Sequence, residues 1–569
     1  MEYHNETREC QNCKNDFIIE LNDFSFYEKI KVPLPTWCPM CRMTRRLSFG
    51  NAWGVYFRNC DKCGIKTLTM YRPDSDLKVF CDPCWWADDW DGTEYAMDYD
   101  PNRNFLEQWR ELQLKTPHFA KDALYLTLKN SEYTNAIAFS KNCYLTFWAD
   151  YCENIYYSSL LNEVRDSLDI LRAFKSELSY ESIGIGKSSK VFFSDTCDDC
   201  VDVWFSRNCY GCMNCIGCVN LRGKSYMIFN KQYSREEYLE KVKEFKLDTR
   251  DGIKTLWKES QDFWKKFPYR EYTGNPQNLN VTGDYIFESK NAKDCYTCMG
   301  VEDSKYCQFI SVPKATNCMD YYGWGNGVSL IYECATSGEG LQNMKFSFGC
   351  FANGIDSEYC GFVIGSKSNF GCVNLKRKKY CILNKEYSKE EYEILRAKII
   401  EDMNNNPYID KKGRLYKYGE FFPVEFSPFL YNDSNASRFI NKTKEEAIAE
   451  GYNWIDKPKS NYTITIKGSD LPQTIKEADE EILKEVVECD NCKNGFRFTG
   501  GELNLYKKLN LPLPENCPKC REERRFNSIN KPYSFDSNCG KCNKEITIMH
   551  NPKDNKIVYC VSCYQQEIL

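Results

Sequence analysis

KIKVPLPTWCPMCRMTRR, residues 29–46, returns near the other end of the chain as KLNLPLPENCPKCREERR, residues 508–525. The displacement is 479 residues, and it holds for every cysteine around these stretches. Cys10/Cys13, Cys38/Cys41, Cys60/Cys63 and Cys81/Cys84 match Cys489/Cys492, Cys517/Cys520, Cys539/Cys542 and Cys560/Cys563 without one insertion. Each pair is a C-x-x-C knuckle, a spacing that lets two thiolates occupy adjacent corners of a zinc tetrahedron; two knuckles complete a four-sulfur shell. Successive pairs are separated by 24, 18 and 17 residues. Joining the first knuckle to the second and the third to the fourth predicts four zinc ions. A cross-braced arrangement, first with third, fits the same spacing. No histidine or carboxylate interrupts the ligand order, so the shells read as closed and structural. Redox dithiols are the competing reading, but they need one pair at the start of a helix in a strand-helix-strand unit, not eight pairs in metal-ligand order.

The stretch from Cys10 to Arg46, with Phe17, FYEK at 26–29, Pro35 and CPMCRMTRR, resembles a small bacterial zinc-ribbon or treble-clef-like finger domain. The C-terminal copy repeats it through Cys489, Phe496, Tyr506, Pro514 and CPKCREERR. WWADDWD (85–91) and GEFFPVEFSPF (419–429) extend the likeness to uncharacterised large zinc-ribbon proteins of small-genome bacteria. The resemblance implies zinc binding and little else, since that family has no agreed function.

The composition agrees. Of 569 residues 33 are cysteine and only 3 histidine, and the formal net charge is −5. A chain of this length buries its cores without disulfides. It shows no signal-peptide core and no apolar run long enough to span a membrane, which predicts a cytoplasmic protein whose cysteines hold metal. The near balance of 76 basic against 81 acidic side chains argues against a chain-wide grip on nucleic acid.

The other 17 cysteines lie between 143 and 381, where CVNLRGKSYMIFNKQYSREEY (218–238) recurs as CVNLKRKKYCILNKEYSKEEY (372–392). Within each block short Tyr/Cys segments alternate with Asn, Ser, Asp and Gly in steps of about 11 residues; two steps, about 22 residues, make one coil of a two-stranded parallel β-solenoid. The alternative is a pair of Cys-rich antiparallel sheets. The expected organisation is a double zinc-ribbon module at 1–92, a helical connector at 93–128, solenoid-like blocks at 129–233 and 283–387 with a helical connector at 234–282 between them, a helical and irregular connector at 388–482, and the second double zinc-ribbon module at 483–569. Ser234/Glu237, Ser388/Glu391 and Thr443/Glu446 predict capped helices, the first two covering the last coil of each block, and Asn104–Lys115 predicts an amphipathic one. Asp479–Val487 is read as a further helix leading into the last module.

Cys197, Cys200, Cys209, Cys212, Cys215 and Cys218 are read first as stacked structural thiols, with a fifth zinc or an iron–sulfur cluster as alternatives. The iron–sulfur reading lacks the ferredoxin spacing and its following Pro. Arg42, Arg45 and Arg46, repeated as Arg521, Arg524 and Arg525, share a helical face and are candidate phosphate contacts, although such a face is often merely solvated. Lys376–Lys379 adds a basic tract. WWADDWD is read as an aromatic hinge docking the first module onto the first coil, in preference to a sugar- or cation-binding site.

No dinucleotide fingerprint or H-E-x-x-H helix is present, and GIGKSSK (184–190) falls short of P-loop spacing. The leading expectation is therefore a non-enzymatic zinc-dependent scaffold whose ribbons contact RNA, a ribonucleoprotein or a protein. A carbohydrate-acting solenoid enzyme and an iron–sulfur electron-transfer protein are the alternatives.

Overall fold

A computed structural model of the chain describes residues 4–275, 277–456 and 462–568. It is a multidomain, strand-rich structure with short helices, and its organising feature is the register of the central strands. Lys141–Tyr144 pairs in parallel with Glu153–Tyr156, which pairs with the start of Arg165–Phe174. On another side Thr134–Ala138, Thr146–Asp150 and Ser159–Asn162 pair in the same sense. Every one of these registers advances by 12 residues, as do those that follow to Ser225–Ile228. One step of the sequence pattern is thus a whole coil, not half of one, and the expected 22-residue coil is corrected to 12.

The backbone shows how so short a coil closes. Ala136, Phe139, Asn142, Leu145, Trp148 and Tyr151 all have φ between 45° and 56°. The left-handed conformation recurs at every third residue to Phe229, with Gly184, Gly211, Gly217 and Gly223 taking their turns. Twelve residues at three per side make a four-sided coil. Left-handed backbone costs ~1 kcal/mol or more for a residue with a Cβ, and the hydrogen bonds between coils offset it.

The residue after each left-handed corner faces inward, and the narrow interior selects Cys, Ser and small aliphatic residues. Ser188 donates to the Gly186 carbonyl (2.6 Å) and accepts from the Cys200 amide of the next coil (3.0 Å). Ser206 makes the same pair of bonds with Trp204 and Cys218. Each of the central cysteines, all buried, aims its thiol at the carbonyl two residues before it, as Cys197, Cys209 and Cys218 do in the first stack and Cys318 and Cys372 in the second.

The second stack starts with a 12-residue register at Gly283–Phe287, lengthens to 14 at Val301 and to 13 at Ala315 and Ser329, and returns to 12 at Ile355. The longer coils place two consecutive left-handed residues at a corner, at Asn326–Gly327, Glu339–Gly340 and Ala352–Asn353. Among the described residues, antiparallel pairing enters the two stacks only in the closing hairpins, Ser225–Ile228 with Lys231–Gln232 and Cys381–Ile382 with Lys385–Glu386, so Cys-rich antiparallel sheets do not describe these blocks.

Helices Arg235–Glu244 and Lys389–Asn405 begin at the expected capping boxes, and Tyr238 and Tyr392 lie against Tyr226 and Tyr380 of the last coils. Helix Phe105–Lys115 buries Phe105, Leu106, Trp109 and Leu112, and Thr443 caps Lys444–Ala449. Asp479–Val487 forms a single 3-10 turn at Glu480–Leu483, not a longer helix. The two stacks meet where Arg172 lies 3.7 Å from the Tyr285 ring centroid and Trp148 packs on Phe309 and Tyr322. Among the described residues no helix is long and apolar enough to cross a membrane.

Candidate metal centres

Four groups of four cysteines could hold a metal ion: Cys10/13/38/41, Cys60/63/81/84, Cys489/492/517/520 and Cys539/542/560/563. The pairing is therefore sequential and not cross-braced. Each group is built the same way. Its first knuckle is a tight turn ending in a left-handed residue (Lys14, Gly64, Lys493, Asn543), whose amide donates to the carbonyl of the knuckle's first cysteine. Its second pair opens a helix: Pro39–Ser48, Asp82–Trp86, Pro518–Ser528 and Val561–Ile568. Thiolates at a helix start gain from the free amides and the dipole.

The sulfur geometry fits a tetrahedral four-thiolate shell. Cys13–Cys38, Cys63–Cys81, Cys492–Cys517 and Cys542–Cys560 each hold their sulfurs 3.8 Å apart. That is the edge of a tetrahedron with ~2.3 Å metal–sulfur bonds, and far beyond a disulfide's ~2.05 Å. Amides point at the sulfurs: Cys38 N to Cys10 Sγ, Cys81 N to Cys60 Sγ and Cys517 N to Cys489 Sγ (each 3.2 Å), and Cys560 N to Cys539 Sγ (3.3 Å). Burial works to raise these thiols, but the surrounding backbone N–H groups prevail and bring Cys60 and Cys489 down to about 7 and Cys539 to about 6. The clusters are consistent with zinc-ribbon-like motifs.

Five of the six arginines beyond the second and sixth knuckles are buried, where phosphate contacts need exposed ones; Arg524 alone of the six is exposed. Arg42, Arg45 and Arg46 are at most 1% exposed, and Arg521 and Arg525 at most 3%. Arg42 and Arg46 bind Asp320 (2.8 and 2.9 Å), and Arg45 bridges Glu333 (3.2 Å) and Glu420 (3.3 Å). In the other module Arg521 and Arg525 bind Asp169 (each 2.9 Å), while Arg524 and Arg525 bind Glu181 (each 2.8 Å). Asp169 and Glu181 are corner residues one coil apart, as are Asp320 and Glu333. The N-terminal module thus docks on the second stack and the C-terminal module on the first. Even the aromatic contacts match: Tyr27 meets Tyr332 at 5.5 Å and 80°, and Tyr506 meets Tyr180 at 5.6 Å and 79°.

Of these carboxylates Glu420 lies in the quoted GEFFPVEFSPF stretch, but Asp169, Glu181, Asp320 and Glu333 were not foreseen. Their signal was the one-coil spacing, which only the correct coil length makes visible.

WWADDWD does dock, but on the last coils of the second stack and not on the first coil. Lys376 lies 4.6 Å from the ring centroids of both Trp85 and Trp90, Lys378 pairs with Asp91 (3.0 Å), and Asn384 donates to the Gly92 carbonyl. Two members of the expected basic tract are thereby engaged. Tyr564, at Trp85's place in the C-terminal copy, bonds Asn220 (2.8 Å) in the last coils of the first stack.

Cys197, Cys200, Cys209, Cys212, Cys215 and Cys218 are fully enclosed in the first stack's interior, each thiol directed at a backbone carbonyl. The metal-capable groups among the described residues are the four terminal ones.

No protein-family model matches the chain, and no curated protein matches it. Among solved structures, one from Desulfovibrio desulfuricans G20, provisionally described as an acetyltransferase, aligns over 51% of this chain and 86% of its own at 9% identity, with a TM-score of 0.10. A likeness that slight bears on neither fold nor activity.

Proposed function

We propose that this protein is a zinc-dependent, non-enzymatic scaffold in which two rigid β-solenoid blocks are clamped by duplicated double zinc ribbons of treble-clef-like build. One observation carries the reading: in each module the helix of the first cysteine group begins with two candidate metal ligands and continues directly into the arginines that grip the solenoid. Cys38 and Cys41 precede Arg42, Arg45 and Arg46 on one helix, and Cys517 and Cys520 precede Arg521, Arg524 and Arg525 on the other. A shell with four cysteines leaves no open coordination position, so the metal's role is to hold these helices in the docked conformation. Zinc is the ion that all-sulfur tetrahedral sites of this spacing favour. With five of the six arginines buried against carboxylates, the scaffold's partner is better sought among proteins and uncharged ligands than among nucleic acids.

Metal analysis of protein purified without oxygen tests the reading. It expects four zinc ions per chain, and stepwise chelation should expose the ribbon helices to protease. Fewer than four, or four ions removable with no change in cleavage, counts against it. A fifth zinc would point to the central cysteines, and iron would replace the scaffold with an electron carrier.

A further inference from the structure

Between the first stack and the C-terminal module lies an open groove of about 500 Å³, within the size range of small-ligand sites. Its floor is a ladder of amides. Asn130 donates to Asn142 (3.0 Å), Asn142 to Asn154 (2.9 Å) and Asn154 to Asp166 (2.9 Å). Asn142 and Asn154 each spend one N–H and one lone pair on their neighbours, and a primary amide carries a second of each. A spare donor and acceptor therefore repeat coil by coil. Alongside run Tyr133, Tyr144 and Tyr156, with ring centroids 5.3 and 6.4 Å apart. The opposite wall is helix Gly500–Leu509, which brings Asn504 and Lys508 to the rim. Gly501 is needed there, since a Cβ would collide with the Tyr156 hydroxyl.

The corresponding place in the other half is lined differently. The amide ladder is present, Asn280 to Asn291 to Asp303, but Lys293 and Lys305 stand where Tyr144 and Tyr156 do, and Lys305 pairs with Glu20 and Asp23 (3.0 Å each). The aromatic groove is thus a property of one half and not a by-product of the repeat.

We propose that this groove binds a neutral oligosaccharide. Aromatic faces beside paired donors and acceptors suit the apolar faces and hydroxyl rims of successive sugar rings. Charge selects against polyanions: Glu132 and Asp166 lie on the groove, and among the described residues its one lining cation, Lys508, is already paired with Asp166 at 2.9 Å. The groove's chemistry is independent of the scaffold reading, because none of its side chains is a metal ligand.

Titration of the full, metal-loaded protein with cellopentaose and with chitopentaose, followed by calorimetry, tests the proposal. An anionic heparin pentasaccharide and a single-stranded DNA pentanucleotide serve as comparisons. At least one neutral sugar should bind with Kd below about 1 mM. Tyr144→Ala should weaken it about tenfold and Tyr144→Phe by no more than about twofold, as loss and retention of a stacking face require. Asn504→Trp, on the exposed helix face, should block the groove without touching the stack. Absence of binding by both neutral sugars, stronger binding of either polyanion, or undiminished binding by Asn504→Trp overturns the proposal. Metal content remaining at the wild-type value separates any such failure from failure of the scaffold.

Discussion

The two modules carry the same arginine trio, yet they close their docks differently. In the N-terminal module Arg45 is fully buried, lies 4.2 Å from the Trp37 ring centroid, and gains a second carboxylate from Glu420, far along the chain. In the C-terminal module Arg524, at the equivalent place, is 46% exposed at its side chain and has Glu181 alone. Three arginines meet three carboxylates on one side, and three meet two on the other. The duplicated residues supply the grip; the unduplicated connector that carries Glu420 seals one copy and leaves the other open to water.

Metal removal should show what the halves share. If the four groups hold zinc as proposed, closed shells contribute ~10 kcal/mol or more each to folding, so chelation should release both modules from their stacks at once, read as protection lost in Pro39–Ser48 and Pro518–Ser528 by hydrogen exchange. Release of one alone would mean that the arginine dock outlasts its metal site in the other.

Side-chain truncation should then separate the halves. Arg45→Ala leaves Glu333 to Arg46 (3.3 Å) but strips the buried Glu420 of its arginine, and breaking a buried pair in this way costs about 3–5 kcal/mol. Arg524→Ala removes a partly solvated pair, expected at about 1 kcal/mol. Equal losses of protection in the two variants would erase the distinction between sealed and open docks.

A pH difference of intermediate size follows from Glu502, which receives the Tyr157 hydroxyl and the Thr499 amide. Burial raises it from 4.5 to about 7, with Arg521 only partly offsetting the effect. Between these values the unfolded chain has lost the proton and the folded one keeps it. The contribution to stability is therefore full below pH 4.5 and lost as pH rises through 7, amounting to about 3 kcal/mol. Hydrogen exchange in Gly500–Leu509 should quicken from pH 5 to 8 beyond its intrinsic rise, and Glu502→Gln should abolish that excess. At the matching N-terminal position burial also raises Asp23, while the Lys305 ammonium pulls it back, so the excess should be smaller in that half.

The smallest expected effect tests the stacks. Ser188→Ala deprives the Cys200 amide of its acceptor and should cost about 1–2 kcal/mol, seen as faster exchange of that amide. An unchanged rate would show that the interior hydroxyls merely fill space.

The four metal-capable groups of cysteines, the capping boxes and the Phe105–Lys115 helix were legible in the sequence because their determinants lie within a few dozen residues. The coil length was not. Corners in the left-handed conformation usually announce themselves with Gly or Asn, but here Leu145, Trp148, Tyr151 and Arg172 occupy them, so the three-residue side is hidden from turn chemistry. Its one plain trace was the third-place spacing of Cys209, Cys212, Cys215 and Cys218, which also suggested a metal cluster. Five of the six arginines turn to carboxylates of the stacks, and Arg524 stays exposed. A cluster of cations on a helix carries no mark of whether its counter-charges belong to a ligand or to a residue hundreds of positions away.

That distance has its own consequence for synthesis. Arg42 meets Asp320 across 278 residues, and Arg521 meets Asp169 across 352. At ~5–20 residues per second, the first ribbon waits roughly 15–60 seconds for its acceptor to leave the ribosome. The first stack, though finished early, keeps buried-type carboxylates uncovered until the last hundred residues appear. Through that interval a nascent chain offers Asp169 and Glu181 to any matching ribbon, including that of a neighbour on the same message. Crowded translation would then favour exchanged modules between chains, and dilute translation self-closed ones.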